Sequence, residues 1–259
     1  MDLSGRVAIV TGGSRGVGRG ITLALAGAGA KVAFNYRRDE ASAGQTVADI
    51  QALGAQGLAL IADNTNPDQV KEMVARTLDK FGKVDILINN AGIASRGDRV
   101  IDTSFSEIER VVGIHAFGAF HFTQAVLPSM RQQPRGDIHF ISSRAAQDCP
   151  PRYSPYAMAK LAMEGLGLVV AKEEMEHNIR VNIIRCGLVE TDMGTRLVKG
   201  TVGADIKDIC ASMPFGRVCQ PEDVGNLCVF MCSAEGGYVS GHITYIDGGE
   251  SVGEFVRKD

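Results

Sequence analysis

The fold class this sequence predicts is α/β, with helices on both faces of a mostly parallel seven-stranded sheet, and three observations predict it. Short apolar runs of strand length recur along the chain, helix-length amphipathic segments separate them, and the first run leads at once into a glycine-rich turn. Regular alternation of this kind implies parallel strands with helices as crossovers, since right-handed connections leave few other arrangements.

Val7-Ala8-Ile9-Val10 is the first strand, too short and too uniformly apolar for a helix. Ile21, Leu23, Leu25 and Ala28 follow on a helical pattern ending at Gly27 or Gly29, and Lys31 to Tyr36 is the second strand. Further strands are expected at Gly57 to Ala62, Val84 to Asn89, Ile138 to Ser142, Val181 to Ile184 and Ile243 to Ile246. Helices are expected over residues 40–53, 67–81, 104–130, 155–176 and 221–233. The 259 residues allow one large domain or two small ones. No linker, charge block or internal repeat divides them, so one domain over residues 1–259 is expected.

Lys and Arg number 27 against 30 Asp and Glu, a net charge of −3, which disfavours a general nucleic-acid binder. No apolar run approaches the roughly 18 residues of a membrane span. The opening Met-Asp-Leu-Ser-Gly-Arg has no apolar leader, so a cytoplasmic protein with reduced thiols is expected. The spacing of Cys219, Cys228 and Cys232 matches no zinc module, and no metal is expected.

The turn Thr11-Gly12-Gly13-Ser14-Arg15-Gly16-Val17-Gly18 lies between the first strand and the first helix. Glycines there permit a tight turn and close approach of backbone to a pyrophosphate, and the helix N-terminus offers unpaired N–H groups to the anion. The context makes this a dinucleotide cradle in a three-layer α/β/α Rossmann fold.

The spacing G-x-x-x-G-x-G after Thr11 resembles the short-chain dehydrogenase/reductase family. Other segments support the resemblance in order: Asn89-Asn90-Ala91-Gly92, Ser143 upstream of Tyr156-x-x-x-Lys160, Ile179-Arg180-Val181-Asn182, Gly187 to Thr191, and Gly241 to Gly249. The match runs from about residue 5 to 250 and extends to the 3-oxoacyl carrier-protein reductase branch.

The resemblance implies that Gly12, Ser14, Arg15, Gly16, Val17 and Gly18 hold the phosphates, that Asp63 and Asn64 flank the adenine, and that Asn90, Ala91 and Gly92 line the adenosine side. Gly187 then shapes the nicotinamide turn, and Val189 and Thr191 contact the carboxamide. The position that usually carries a ribose-binding acid holds Tyr36, followed by Arg37 and Arg38, with Arg15 in the glycine turn. Guanidinium groups suit a 2′-phosphate, so NADP(H) is expected over NAD(H).

Residues four apart on a helix share a face, so the Lys160 ammonium can lie beside the Tyr156 phenol and lower its pKa. In the family this tyrosine is the acid/base, the lysine also holds the nicotinamide ribose, and a serine bonds the substrate oxygen, here Ser143, thirteen residues before Tyr156, with Ser142 as the alternative. Where the family usually carries an Asn, Gly113-Ile114-His115-Ala116-Phe117 places His115. Three outcomes are open: a silent substitution, a histidine that joins the proton relay and adds a pH-sensitive step, or impaired catalysis. Cys186 also stands where proline is usual before Gly187.

The expected activity is NADP(H)-dependent interconversion of a secondary alcohol and a ketone, with a substrate lid at about residues 193–213 and a homotetrameric assembly. The rival is a non-catalytic NADP(H)-binding regulator of the same fold. A sugar-nucleotide epimerase or dehydratase shares Tyr-x-x-x-Lys but usually adds a substrate domain for which this chain has no room.

Overall fold

A computed structural model describes residues 1–252. Its seven strands form one sheet in the order β3-β2-β1-β4-β5-β6-β7, and every pair is parallel. They are β1 Val7–Val10, β2 Lys31–Tyr36, β3 Gly57–Ile61, β4 Ile86–Asn89, β5 Gly136–Ser143, β6 Ile179–Cys186 and β7 Ile243–Ile246. The helices are α1 Gly16–Gly27, α2 Glu40–Ala52, α3 Pro67–Phe81, α4 Phe105–Val112, α5 Gly118–Met130, α6 Ala145–Asp148, α7 Ser154–Glu173, α8 Asp192–Thr201 and α9 Pro221–Cys232.

Each sheet face buries its own core. On one side Val7, Ile9, Leu87, Phe122, Phe140 and Val181 pack together, and on the other Val10, Ile21, Leu25, Phe34, Ile88 and Cys228. Strands covered on both faces read as continuous apolar runs, which is why all seven were visible in the sequence. Strand order reverses between β1 and β4, and a crevice opens beyond the carboxyl ends of strands at such a point. The glycine turn after β1 and Asn90-Ala91-Gly92 after β4 flank it.

The segment expected as one helix over 104–130 is interrupted. After α4, residues Gly113–Phe117 form a π-helical turn before α5 resumes. Hydrophobic periodicity cannot register one extra residue per turn, and such turns are frequent at functional sites. By length and composition Phe105–Met130 would pass for a membrane span, which a count of uninterrupted apolar residues overlooked. Val111, Ala119, Phe122, Val126 and Met130 are buried in the protein, as in a core helix.

Residues 193–213 contain most of α8 and a short turn at Cys210–Ser212. Val198, Ile206 and Val218 form a small core of their own there, with Leu188, Ile209 and Met213 packed against it.

Candidate active site

Beyond β1 the chain turns through Gly12 and Gly16, both at positive φ. Gly18 admits no side chain, since a Cβ would sit 2.2 Å from the Gly12 carbonyl oxygen. Arg15 occupies the N-cap of α1 in extended conformation, and its side chain makes no cap bond among the described residues. The first-turn N–H groups are therefore donors suited to an anion, and the exposed Arg15 side chain adds charge at the same place. The cradle fits a dinucleotide pyrophosphate.

Several bonds fix this cradle to its neighbours. Thr11 Oγ1 accepts from the N–H groups of Asn90 and Ala91, at 2.9 Å each, and Asn90 Nδ2 donates to the Thr11 carbonyl at 2.8 Å. The Gly12 N–H donates to Asn35 Oδ1 at 2.9 Å, while Asn35 Nδ2 donates to the Ala62 carbonyl and to Asn64 Oδ1 at 2.7 Å. Asn64, expected beside the adenine, is thus buried and spends its oxygen on Asn35. Asn35 was missed, although a lone polar residue in the apolar run Val-Ala-Phe-Asn-Tyr was a signal for it.

Ser14 is buried, and Val17 and Tyr36 are partly so. Arg37 and Arg38 are exposed at the end of β2. Arg37 lies 3.6 Å from Asp63 Oδ2, and Asp63 Oδ1 accepts from the N–H and hydroxyl of Thr65. Across the crevice, Gly187 donates to the Ile246 carbonyl and Val189 bridges to Cys219. Thr191 caps α8 through the Gly194 N–H, and its methyl lies where a Gly16 Cβ would touch it at 3.4 Å.

Tyr156 and Lys160 share one face of α7, with the ammonium 5.6 Å from the phenol ring centroid. Lys160 is almost fully buried and donates to the Ile141 carbonyl at 2.6 Å. Burial pushes its pKa down to about 8, against the opposing influence of Cys186 and Glu164. Burial also pushes Tyr156 up to about 12, and its hydrogen bond with Ser143 works against that rise. The three residues of the expected catalytic set are therefore together, with Ser143 at the end of β5 facing the start of α7.

A family model described as enoyl-(acyl carrier protein) reductase matches residues 12–251. The chain belongs to the short-chain dehydrogenase/reductase family. It is 34% identical to a 3-oxoacyl-(acyl-carrier-protein) reductase of Synechocystis, over 95% of this chain and 97% of that one. It is also 34% identical to the 7alpha-hydroxysteroid dehydrogenase of Escherichia coli K12, over 96% and 95%. Among solved structures, a short chain dehydrogenase from Burkholderia cenocepacia J2315 in complex with NADP superposes with TM-score 0.87 at 32% identity, covering 96% of this chain and 98% of that one. Levodione reductase superposes with TM-score 0.91 at 28% identity, covering 97% and 99%.

His115 of this short-chain dehydrogenase/reductase lies in the π-helical turn, its ring edge-on to Tyr156 at 5.3 Å between centroids. Gly92 lies flat against it, and a Cβ there would fall 2.2 Å from His115 Cε1. A single nitrogen, Nε2, faces both the N–H of Ile93 at 3.0 Å and its carbonyl oxygen at 2.9 Å. One ring nitrogen either donates or accepts, so only one of these bonds exists at a time. Nδ1 is buried without a partner among the described residues. Burial, then the Lys160 charge, pushes the ring's pKa down to about 3, so His115 stays neutral at physiological pH. The geometry gives the ring a backbone to hold, and its neutrality speaks against the pH-sensitive relay.

Proposed function

We propose that the chain is an NADP(H)-dependent oxidoreductase interconverting a secondary alcohol and a ketone. One observation carries this reading: Tyr156 and Lys160 lie on one face of α7 with Ser143 opposite the phenol. When bound, NADP(H) supplies or accepts the hydride. Tyr156 gives the substrate oxygen its proton or takes it, Ser143 donates a hydrogen bond to that oxygen, and Lys160 holds positive charge beside the phenol. The raised pKa of Tyr156 keeps the phenol protonated at neutral pH, the state that reduction requires. Oxidation requires the phenolate and should therefore quicken as pH rises.

Arg15, Arg37 and Arg38 support NADP(H) over NAD(H). Arg37 does so through a lone exposed contact to Asp63, which a 2′-phosphate can displace at little cost. We assign Asp63, Asn64, Asn90, Ala91, Gly92, Gly187, Val189 and Thr191 to the cofactor site as well, with Asn64 acting through Asn35. The exposed apolar residues Phe120, Leu161 and Val169 on α5 and α7 support a tetramer built on those helices.

Absorbance at 340 nm with NADPH and a panel of 3-oxoacyl thioesters, steroid ketones and small cyclic ketones tests the reading. Turnover with NADPH is expected to exceed that with NADH at least tenfold, and the same preparation should sediment as a tetramer. A preference for NADH would reject the cofactor assignment. Tight NADPH binding with no turnover on any ketone or alcohol would favour the non-catalytic regulator.

For His115 we expect a positioning role at Ile93. An Asn at this position offers a donor and an acceptor together, so His115→Asn should stabilise the protein by about 1 kcal/mol. A histidine that is neutral when folded but protonates near 6.5 when unfolded lowers stability as pH falls through that range. The decline in Tm between pH 6.5 and 4 should be shallower in the variant, and the pH–rate profile should keep its shape. Loss of a kinetic limb near neutral pH in His115→Asn would restore the relay.

A further inference from the structure

Glu164 is only 4% exposed, one turn beyond Lys160 on α7, and neither the cofactor site nor the proton transfer uses it. Its carboxylate is held from two strands, β5 and β6. Ser142 Oγ donates to Oε1 at 2.5 Å, and Arg185 donates to Oε1 through Nε at 2.9 Å and to Oε2 through Nη2 at 2.7 Å. Arg185 also donates to the Tyr245 hydroxyl and stacks over that ring, its Cζ 5.4 Å from the centroid. Ser142, Arg185 and Tyr245 are direct register neighbours across β5, β6 and β7.

The strand and the helix meet in three successive rungs. Ile141 accepts from Lys160, Ser142 donates to Glu164, and Ser143 faces Tyr156. Two of these rungs contain the proposed reacting groups. The middle one contains only Glu164 and Ser142, and it alone is anchored by a bidentate ion pair, whose two parallel bonds fix orientation as well as distance. A glutamate placed only to cap a buried arginine would not need the Ser142 bond.

We propose that Glu164, clamped by Arg185 and Tyr245, is a positioning residue for hydride transfer that locks α7 to the end of β5 and so keeps Tyr156 and Lys160 aligned with Ser143. The inference rests on the catalytic reading above for what is being aligned. Glu164 also sets the charge environment of Lys160. The groups facing that ammonium are Tyr156 and Glu164 from its own helix, Cys186 from β6 and His115 from the π-helical turn, and Glu164 alone among them is an anion.

The test uses Glu164→Gln and the double variant Glu164→Leu/Arg185→Leu. Removing the whole pair avoids a stranded guanidinium, and apolar replacement of buried pairs is often tolerated. Expected for both variants are a fall in kcat of at least tenfold and a KM for NADPH within about twofold of the parent, and for Glu164→Gln an alkaline limb of kcat/KM moved to lower pH. The double variant should keep its Tm within a few degrees, which separates the loss from misfolding and decides the matter if Glu164→Gln does not fold. Independently of turnover, the Lys160 signal in 15N-lysine NMR, assigned by its absence in Lys160→Arg, should titrate at lower pH in Glu164→Gln, which removes the carboxylate charge and keeps the arginine. A folded double variant with parental kcat, or a folded Glu164→Gln with an unmoved Lys160 titration, overturns the proposal. Should the parent itself prove inactive, the catalytic reading fails while the NMR titration still judges this one.

Discussion

Tyr156→Phe is expected to lower kcat by about 10³- to 10⁴-fold, the upper part of what a positioned acid or base contributes. The substitution removes one oxygen and leaves the ring against His115 and Tyr153, so packing on α7 is kept. Lys160 keeps its bond to Ile141, and the glycine turn is untouched. The dissociation constant for NADPH should therefore stay within about threefold of the parent, and Tm should change little, because the ring packing is kept. Stopped-flow turnover together with fluorescence titration of NADPH checks both halves. A variant that retained more than a tenth of parental kcat would remove Tyr156 from the role of proton donor and turn attention to a water held near Ser143.

The largest effect on stability is expected at Asp137, far from this chemistry near the amino-terminal end of β5, an interior strand of the sheet. Asp137 opens β5, is fully buried, and lies 2.8 Å from Arg6, 3.1 Å from Arg135 and 2.5 Å from Arg180. The three guanidinium groups also donate to carbonyls at and just beyond the end of α9, including Cys232 from Arg6 and Arg135 and Met231 from Arg180. One carboxylate thus holds together three cations that tie β1, β5 and β6 to α9. Asp137→Asn keeps the shape and deletes the charge, which leaves the guanidinium groups facing one another. Breaking a buried network by removing one partner costs about 3–5 kcal/mol, which for a chain of this size lowers Tm by about 10 °C. Activity per folded molecule should be unchanged, since no cofactor or substrate residue touches the cluster. Differential scanning calorimetry decides this, and a Tm within 2 °C of the parent would show that the arginines are held by the helix carbonyls alone.

All seven strands were legible because a parallel sheet covered on both faces requires runs of apolar residues with no polar alternation. The phosphate cradle and the Tyr156–Lys160 pair were legible because each is local: a glycine turn between strand and helix, and two side chains one helical turn apart. The break at Gly113–Phe117 was not, since the same residues satisfy a continuous helix pattern on either side of it. Nor were the partnerships of Asn64 with Asn35 or of Glu164 with Arg185. These join residues 29 and 21 positions apart in the chain, and each residue alone has several plausible partners.

The sequence by itself determined the fold, the glycine turn after the first strand and the residues we propose for the reaction, because short-range periodicity and fixed motif spacing carry them. Tertiary structure alone decided which way His115 faces, that Ser142, Arg185 and Tyr245 line up across three strands, and that three arginines converge on Asp137. The physical reason is common to all of them. A buried polar group must find its partner wherever packing brings one within about 3 Å, and that choice is made by how strands register and helices dock, not by neighbours along the chain.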